Sequence, residues 1–119
     1  MPRELAPIVG TLLIVDDDPN VRRAIRIMCE QDGINVVGDA GSGIEAEDMA
    51  RQHQPTFIVL DYKMPYGDGD TTARQLRRIS PEAKIIAFSA YLDGQPDWAD
   101  AYVSKDQIDR LLKVIAEII

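Results

Sequence analysis

Residues 11–31 read TLLIVDDDPNVRRAIRIMCEQ. Five apolar or β-branched residues, 11–15, stop at three aspartates, and a proline then opens a segment with apolar residues at helical spacing. A nearly continuous apolar run of this length suits a parallel strand covered on both faces. Asp18 is suited to cap the following helix and Pro19 to occupy its first turn. Val21, Ala24, Ile25 and Met28 form its expected apolar face, and Gly33 marks its end. A strand that feeds directly into a helix is the unit of a parallel sheet with right-handed crossovers.

The same unit recurs along the chain. Strands are predicted at 34–37, 57–60 and 85–88, with a weaker one at 101–103. A helix is predicted over 42–53, opened by a Ser42/Glu45 capping box and carrying Ile44, Ala46 and Met49. Another is predicted over 70–79, starting with short polar residues and stopping before Pro81. The last, 106–119, has an apolar stripe of Ile108, Leu111, Leu112, Ile115 and Ile118 or Ile119. The expected class is α/β, a flavodoxin-like doubly wound five-stranded parallel sheet in the order 2-1-3-4-5. Residues 1–10 read as a short N-terminal tail and 11–119 as one domain, since 119 residues supply one core and not two.

Composition narrows the function. A net charge of −7 argues against direct DNA binding, which needs a positive footprint. The local cluster Arg22, Arg23 and Arg26 reads as a solvated helix face. No apolar run is long enough to cross a membrane, and residues 1–10 lack the apolar stretch of a signal peptide. Cys29 is the single cysteine, so no intrachain disulfide forms, which fits a cytoplasmic protein. Cys29 reads as core packing, and His53 ends a helix with no ligand-like neighbour.

Parallel strands bring their carboxyl ends to one edge, and the residues that follow them here are chemically coherent. The first strand leads to Asp16, Asp17 and Asp18, the third to Asp61, the fourth to Ser89 and the fifth to Lys105. Close carboxylates repel each other unless a cation sits between them. An all-oxygen set without His or Cys suits Mg²⁺ or Mn²⁺. A carboxylate can attack phosphorus to form an aspartyl phosphate, while Lys105 neutralises charge on the transferring oxygens and Ser89 donates a hydrogen bond. Taken singly, each residue has a plainer explanation: Asp18 as a helix cap, Ser89 as a backbone-bonding hydroxyl, Lys105 as a surface charge. Their joint spacing over four segments carries the functional reading.

The segments LLIVDDDP (12–19), VLDYKMPYGDG (59–69), IIAFSA (85–90) and AYVSKD (101–106) resemble those of the response-regulator receiver family, and the resemblance covers nearly the whole chain. It implies that Asp61 is the phosphoacceptor. Asp16, Asp17, Asp61 and the backbone carbonyl of Lys63 would then be the metal ligands, Lys105 the phosphate-binding lysine, and Ser89 and Tyr102 the switch pair. Met64, Pro65 and Gly69 match the family's loop. The implied donor is a histidine kinase or histidine phosphotransfer protein. The implied response is a movement of Ser89 toward the phosphate and of Tyr102 inward. Output would pass through the fourth helix, fifth strand and fifth helix. Lys63 and Tyr91 occupy positions that flank the path of the attacking water in this family. One reading has them slowing dephosphorylation; the other has both side chains in solvent.

Residues 90–104, AYLDGQPDWADAYVS, are fewer than the family usually places between the switch hydroxyl and the lysine. Asp93, Gly94, Gln95 and Pro96 are poor helix formers, so the fourth helix is expected to be shortened or missing. Trp98 is expected to plug the gap rather than stand exposed as a partner contact. Asp106 stands where many members have proline. Within these 119 residues no effector domain is expected beside the receiver. The signal is therefore expected to leave by protein contact with a downstream target, through a homodimer, or by onward phosphoryl transfer. No enzyme activity is expected beyond self-phosphorylation and autodephosphorylation at Asp61. Two alternatives use the same residues. One is an unphosphorylated receiver-like binding module. The other is an aspartate-nucleophile phosphatase, disfavoured because Lys63 stands where a second acid would follow Asp61.

Overall fold

A computed structural model describes residues 10–64, 67–90 and 94–118. Its elements, in chain order, are β1 Thr11–Val15, α1 Pro19–Gln31, β2 Asn35–Ala40, α2 Gly43–His53 and β3 Phe57–Leu60. These are followed by β4 Lys63–Met64, β5 Gly67–Asp68, α3 Gly69–Ile79, β6 Lys84–Ser89, β7 Ala101–Ser104, a 3-10 turn Lys105–Arg110 and α4 Leu111–Glu117. Five strands form one parallel sheet in the order β2-β1-β3-β6-β7, which is 2-1-3-4-5 when β4 and β5 are set aside. Those two pair antiparallel as a small separate hairpin, in a stretch that reads as loop from sequence.

Strand residues alternate between two apolar layers. Leu12, Ile14, Phe57, Val59, Ile86, Phe88 and Val103 face Ile25 and Cys29 of α1 and Leu111 and Ile115 of α4. Leu13, Val15, Ile58, Leu60, Ile85 and Ala87 face Ala46 and Ala50 of α2 and Ala73 and Leu76 of α3. Both faces being covered is why the central strands are continuous apolar runs.

Local signals set most boundaries. The Asp18 side chain accepts the Asn20 N–H to cap α1, with Pro19 in its first turn. The helix closes in a Schellman arrangement: Gly33, at φ +84°, donates to the Glu30 carbonyl and Ile34 to that of Cys29. Ile34 is therefore spent on closing the helix, and β2 starts at Asn35, one residue later than expected. It also runs on to Ala40, past the expected end at 37. At α2, Ser42 accepts from Glu45 N–H as a capping box requires, but the Glu45 carboxylate reaches Gly41 N–H instead of Ser42 N–H.

Three expectations are corrected. Ala24 and Ile44, read as core-facing, are exposed; Ile25 and Ala46, from the same expected faces, do pack on the sheet, together with Cys29 and Ala50. The expected helix over 106–119 is broken: Lys105–Arg110 winds as a 3-10 turn with Gln107 outside helical geometry, and α-helix starts only at Leu111. Its opening is tied elsewhere, because Lys105 reaches into the acidic pair and Ser104 Oγ donates to Asp106 at 2.5 Å.

The shortened fourth crossover matches expectation: among the described residues between β6 and β7 none is helical. Trp98 and Ala99 pack over the sheet in its place, both 8% exposed. Of the tail, only Gly10 lies within the described residues.

Candidate functional site

The sheet register places the acidic residues. Val15 pairs with Leu60 and Leu60 with Ala87, so the next residues, Asp16 and Asp61, leave adjacent strands at one level. The ladder runs one step past the strands, with Asp16 N–H bonded to the Ala40 carbonyl and Asp61 N–H to that of Val15. Both carboxylates are buried, at 1% and 2% exposure, while Asp17 is exposed beside them. One carboxylate oxygen from each of Asp16, Asp17 and Asp61 lies within 4.8 Å of the other two.

Lys105 comes to this cluster from the end of β7. Its Nζ is 2.7 Å from Asp16 Oδ2 and 3.3 Å from Asp61 Oδ2. Burial by itself would lower the Lys105 pKa, but the Asp16 carboxylate and the charge of Asp61 outweigh it and hold the pKa above the ordinary lysine value. Asp16 Oδ1 accepts the Asp18 N–H, whereas buried Oδ2 has no well-formed hydrogen bond and faces only the ammonium. The Lys105 ammonium thus pairs with two of the three clustered carboxylates. The oxygen-only donors and the orphaned Oδ2 fit a hard divalent cation held among Asp16, Asp17 and Asp61.

Ser89 ends β6 fully buried and pairs in register with Ser104, which precedes Lys105. The Tyr102 hydroxyl donates to the Ser89 carbonyl at 3.2 Å, so the two residues expected to form the switch are in direct contact. Lys63 has its backbone in the β4–β5 hairpin, paired with Asp68. Its side chain, and all of Tyr91, lie outside what the structure describes. The hairpin is closed onto the site by Gly69 N–H donating to the Tyr62 carbonyl at 2.6 Å. A Cβ at Gly69 would stand 2.7 Å from Tyr62 Cα, so glycine is needed for this approach.

Sequence reading missed the bracing of Asp16. Arg22, taken for part of a solvated face, donates from Nη1 to the Asp16 carbonyl at 2.7 Å and pairs with Asp39 at 3.1 Å. Arg26 pairs with the same Asp39 at 2.9 Å. The i, i+4 spacing of the two arginines was visible, but their shared acid sits on β2 and is found only once the fold is known. Cys29 is buried as expected, and that burial pushes its thiol up to about 12.

Residues 12–117 match the family model of the response regulator receiver domain. The chain belongs to that family. The receiver is 32% identical over 111 residues to the chemotaxis protein CheY of Bacillus subtilis (strain 168), covering 87% of this chain and 92% of that one. It is 36% identical over 81 residues to a putative transcriptional regulator of Pseudomonas aeruginosa, covering 68% of this chain but 39% of that protein. The chain thus spans about two fifths of the length of the first curated relatives it matches. A two-component response regulator of the LuxR family from Aurantimonas sp. SI85-9A1 superposes with a TM-score of 0.82 at 27% identity, covering 93% of this chain and 85% of that one. Receiver domains act in two-component signalling, between a histidine kinase or phosphotransfer protein and a downstream target. The site geometry is that of a phosphoacceptor switch, and an unphosphorylated binding module is not favoured. Among the described residues no helix is long and apolar enough to cross a membrane.

Proposed function

We propose that Asp61 accepts a phosphoryl group from the phosphohistidine of a histidine kinase or phosphotransfer protein. The observation that carries this is a buried Asp61 carboxylate grouped with Asp16 and Asp17 and standing 3.3 Å from an ammonium. An Asp61 oxygen forms the new P–O bond as the P–N bond breaks, and the histidine nitrogen leaves with the electron pair. Lys105 steadies the negative charge on the transferring oxygens, and Ser89 offers its hydroxyl to one of them. Asp16, Asp17, Asp61 and the Lys63 carbonyl would hold Mg²⁺ or Mn²⁺. When bound, such an ion supplies positive charge for the phosphoryl oxygens.

The switch follows from the contact between Ser89 and Tyr102. Drawing Ser89 toward a phosphoryl group shifts the carbonyl that Tyr102 holds, so a local charge change biases the position of the β7 aromatic. The signal then leaves by contact with a downstream protein, through a homodimer or by onward phosphoryl transfer. The setting is the cytoplasm, without direct DNA contact. Turnover of external phosphate esters is not part of the function. Slowed hydrolysis of the acyl phosphate by Lys63 and Tyr91, against both side chains standing in solvent, is decided by Lys63→Ala and Tyr91→Ala: an unchanged dephosphorylation rate means they have no such role.

The deciding experiment is intact-mass measurement after incubation with Mg²⁺ and a small phosphoryl donor. Wild type is expected to gain one alkali-labile phosphoryl group, lost in Asp61→Asn and in the absence of metal. An unmodified, folded wild type that also fails with histidine kinases would overturn the proposal.

A further inference from the structure

The shortened crossover between β6 and β7 leaves a groove of about 310 Å³ along α3, lined by Ala73, Arg74, Arg77, Arg78 and Trp98. Its cations are not equivalent. Arg77 clamps the crossover to α3, donating to the carbonyls of Ala83 at 2.8 Å and Trp98 at 3.0 Å and pairing with Asp100 at 3.2 Å. Arg74 and Arg78 are exposed and have no ion pair or hydrogen bond among the described residues. Asp70, one turn before Arg74, has its carboxylate engaged by the Trp98 indole N–H. Asp97, next to Trp98, pairs with neither arginine. Helix α3 therefore presents two uncompensated guanidinium groups beside the exposed edge of a largely buried indole, on a chain whose net charge is −7.

We propose that this groove docks an acidic segment of a partner protein, one that carries an apolar residue between carboxylates. Arg74 and Arg78 are separated by four residues, about 6 Å of helix rise. That separation suits two carboxylates within a short stretch of peptide, and the planar guanidinium matches each of them. The apolar residue would lie on the aliphatic stems of Arg74 and Arg78 and the exposed edge of the indole, since Ala73 itself is buried. Charge complementarity selects this occupant. The patch is too small for a stable dimer interface, and two guanidinium groups on one helix give too few phosphate contacts to hold a nucleic-acid backbone. The site stands apart from the chemistry at Asp61.

The test uses the full chain and a fluorescein-labelled glutamate-rich dodecapeptide with a central leucine, read by anisotropy and by amide chemical shifts. Saturable, salt-sensitive binding is expected, with shifts centred on α3 and Trp98. Arg74→Glu/Arg78→Glu is expected to weaken it by about tenfold or more, with unchanged melting temperature because both side chains are exposed. Arg78→Glu alone serves if the double variant does not fold. Arg23→Glu, which reverses an exposed cation on α1, and Asp61→Asn are expected to leave binding unchanged. Four outcomes would overturn the proposal: no saturable binding, equal loss in Arg23→Glu, displacement of the peptide by a single-stranded oligonucleotide at lower concentration than by unlabelled peptide, or a change of oligomeric mass in Arg74→Glu/Arg78→Glu with peptide binding intact.

Discussion

The Lys105 ammonium lies 2.7 Å from Asp16 Oδ2, a buried oxygen with no well-formed hydrogen bond. The pair joins the end of β7 to the end of β1 across β3 and β6, and it is part of the same cluster that holds Asp61. Removing the ammonium leaves two buried carboxylates facing each other. Lys105→Met is expected to lower stability by about 1–3 kcal/mol in divalent-free buffer, less than for a fully buried pair because Lys105 is partly solvated. Urea denaturation measures this. The same variant is expected to phosphorylate more slowly from a small phosphoryl donor.

A cation bound among Asp16, Asp17 and Asp61 stabilises the folded state by mass action. At a hundredfold excess over its dissociation constant the gain is about 2.7 kcal/mol. Asp17 is exposed, so Asp17→Asn is expected to fold normally without metal and to lose most of the melting-temperature gain that Mg²⁺ confers on wild type. An undiminished gain in the variant would remove Asp17 from the ligand set.

Gly69→Ala drives a methyl group into the Tyr62 backbone. A loss of about 1–3 kcal/mol is expected, together with faster amide exchange at position 69, whose N–H closes the hairpin beside Asp61. Gly94, with open space around it, is the matched control, and Gly94→Ala is expected to cost little.

Cys29 is buried between α1 and the sheet, and its thiol is raised to about 12 by that burial. Native protein is expected to resist thiol reagents at neutral pH and to react fully in denaturant. The sign for stability follows from linkage. Below the ordinary thiol value of 9.0 the thiol is neutral in both states. Above it the unfolded chain releases the proton while the folded chain keeps it, so stability falls as pH rises toward 12. Comparing denaturation midpoints of wild type and Cys29→Ala at pH 8 and pH 10.5 isolates this contribution.

Trp98 covers the sheet between β6 and β7, where none of the described residues is helical. Trp98→Ala is expected to cost about 3–5 kcal/mol. Trp98→Phe keeps the packing and loses the bond to Asp70, and is expected to cost about 1 kcal/mol. Thermal melts distinguish the two. Equal, small effects would mean that the ring merely rests on the surface.

The order of strands and helices and the acidic edge of the sheet were legible in the chain itself. Strands buried on both faces must be continuous apolar runs, and parallel strands must send their carboxyl ends to one side. Asp16, Asp61, Ser89 and Lys105 follow from those two facts, and Gly94–Gln95–Pro96 marks a helix-breaking run where none of the described residues between β6 and β7 is helical. Only the tertiary structure decided which groups touch. The Lys105–Asp16 contact, the Arg22 and Arg26 pairs with Asp39, the Arg77 clamp on Trp98 and Asp100 and the Asp70–Trp98 bond all join residues from separate segments. The 3-10 turn after Lys105 and the hairpin after Asp61 replace what sequence read as helix and loop. Periodicity reports which face of an element is apolar. Which polar atoms meet depends on register and on the approach of distant segments, and these exist only once the sheet is assembled.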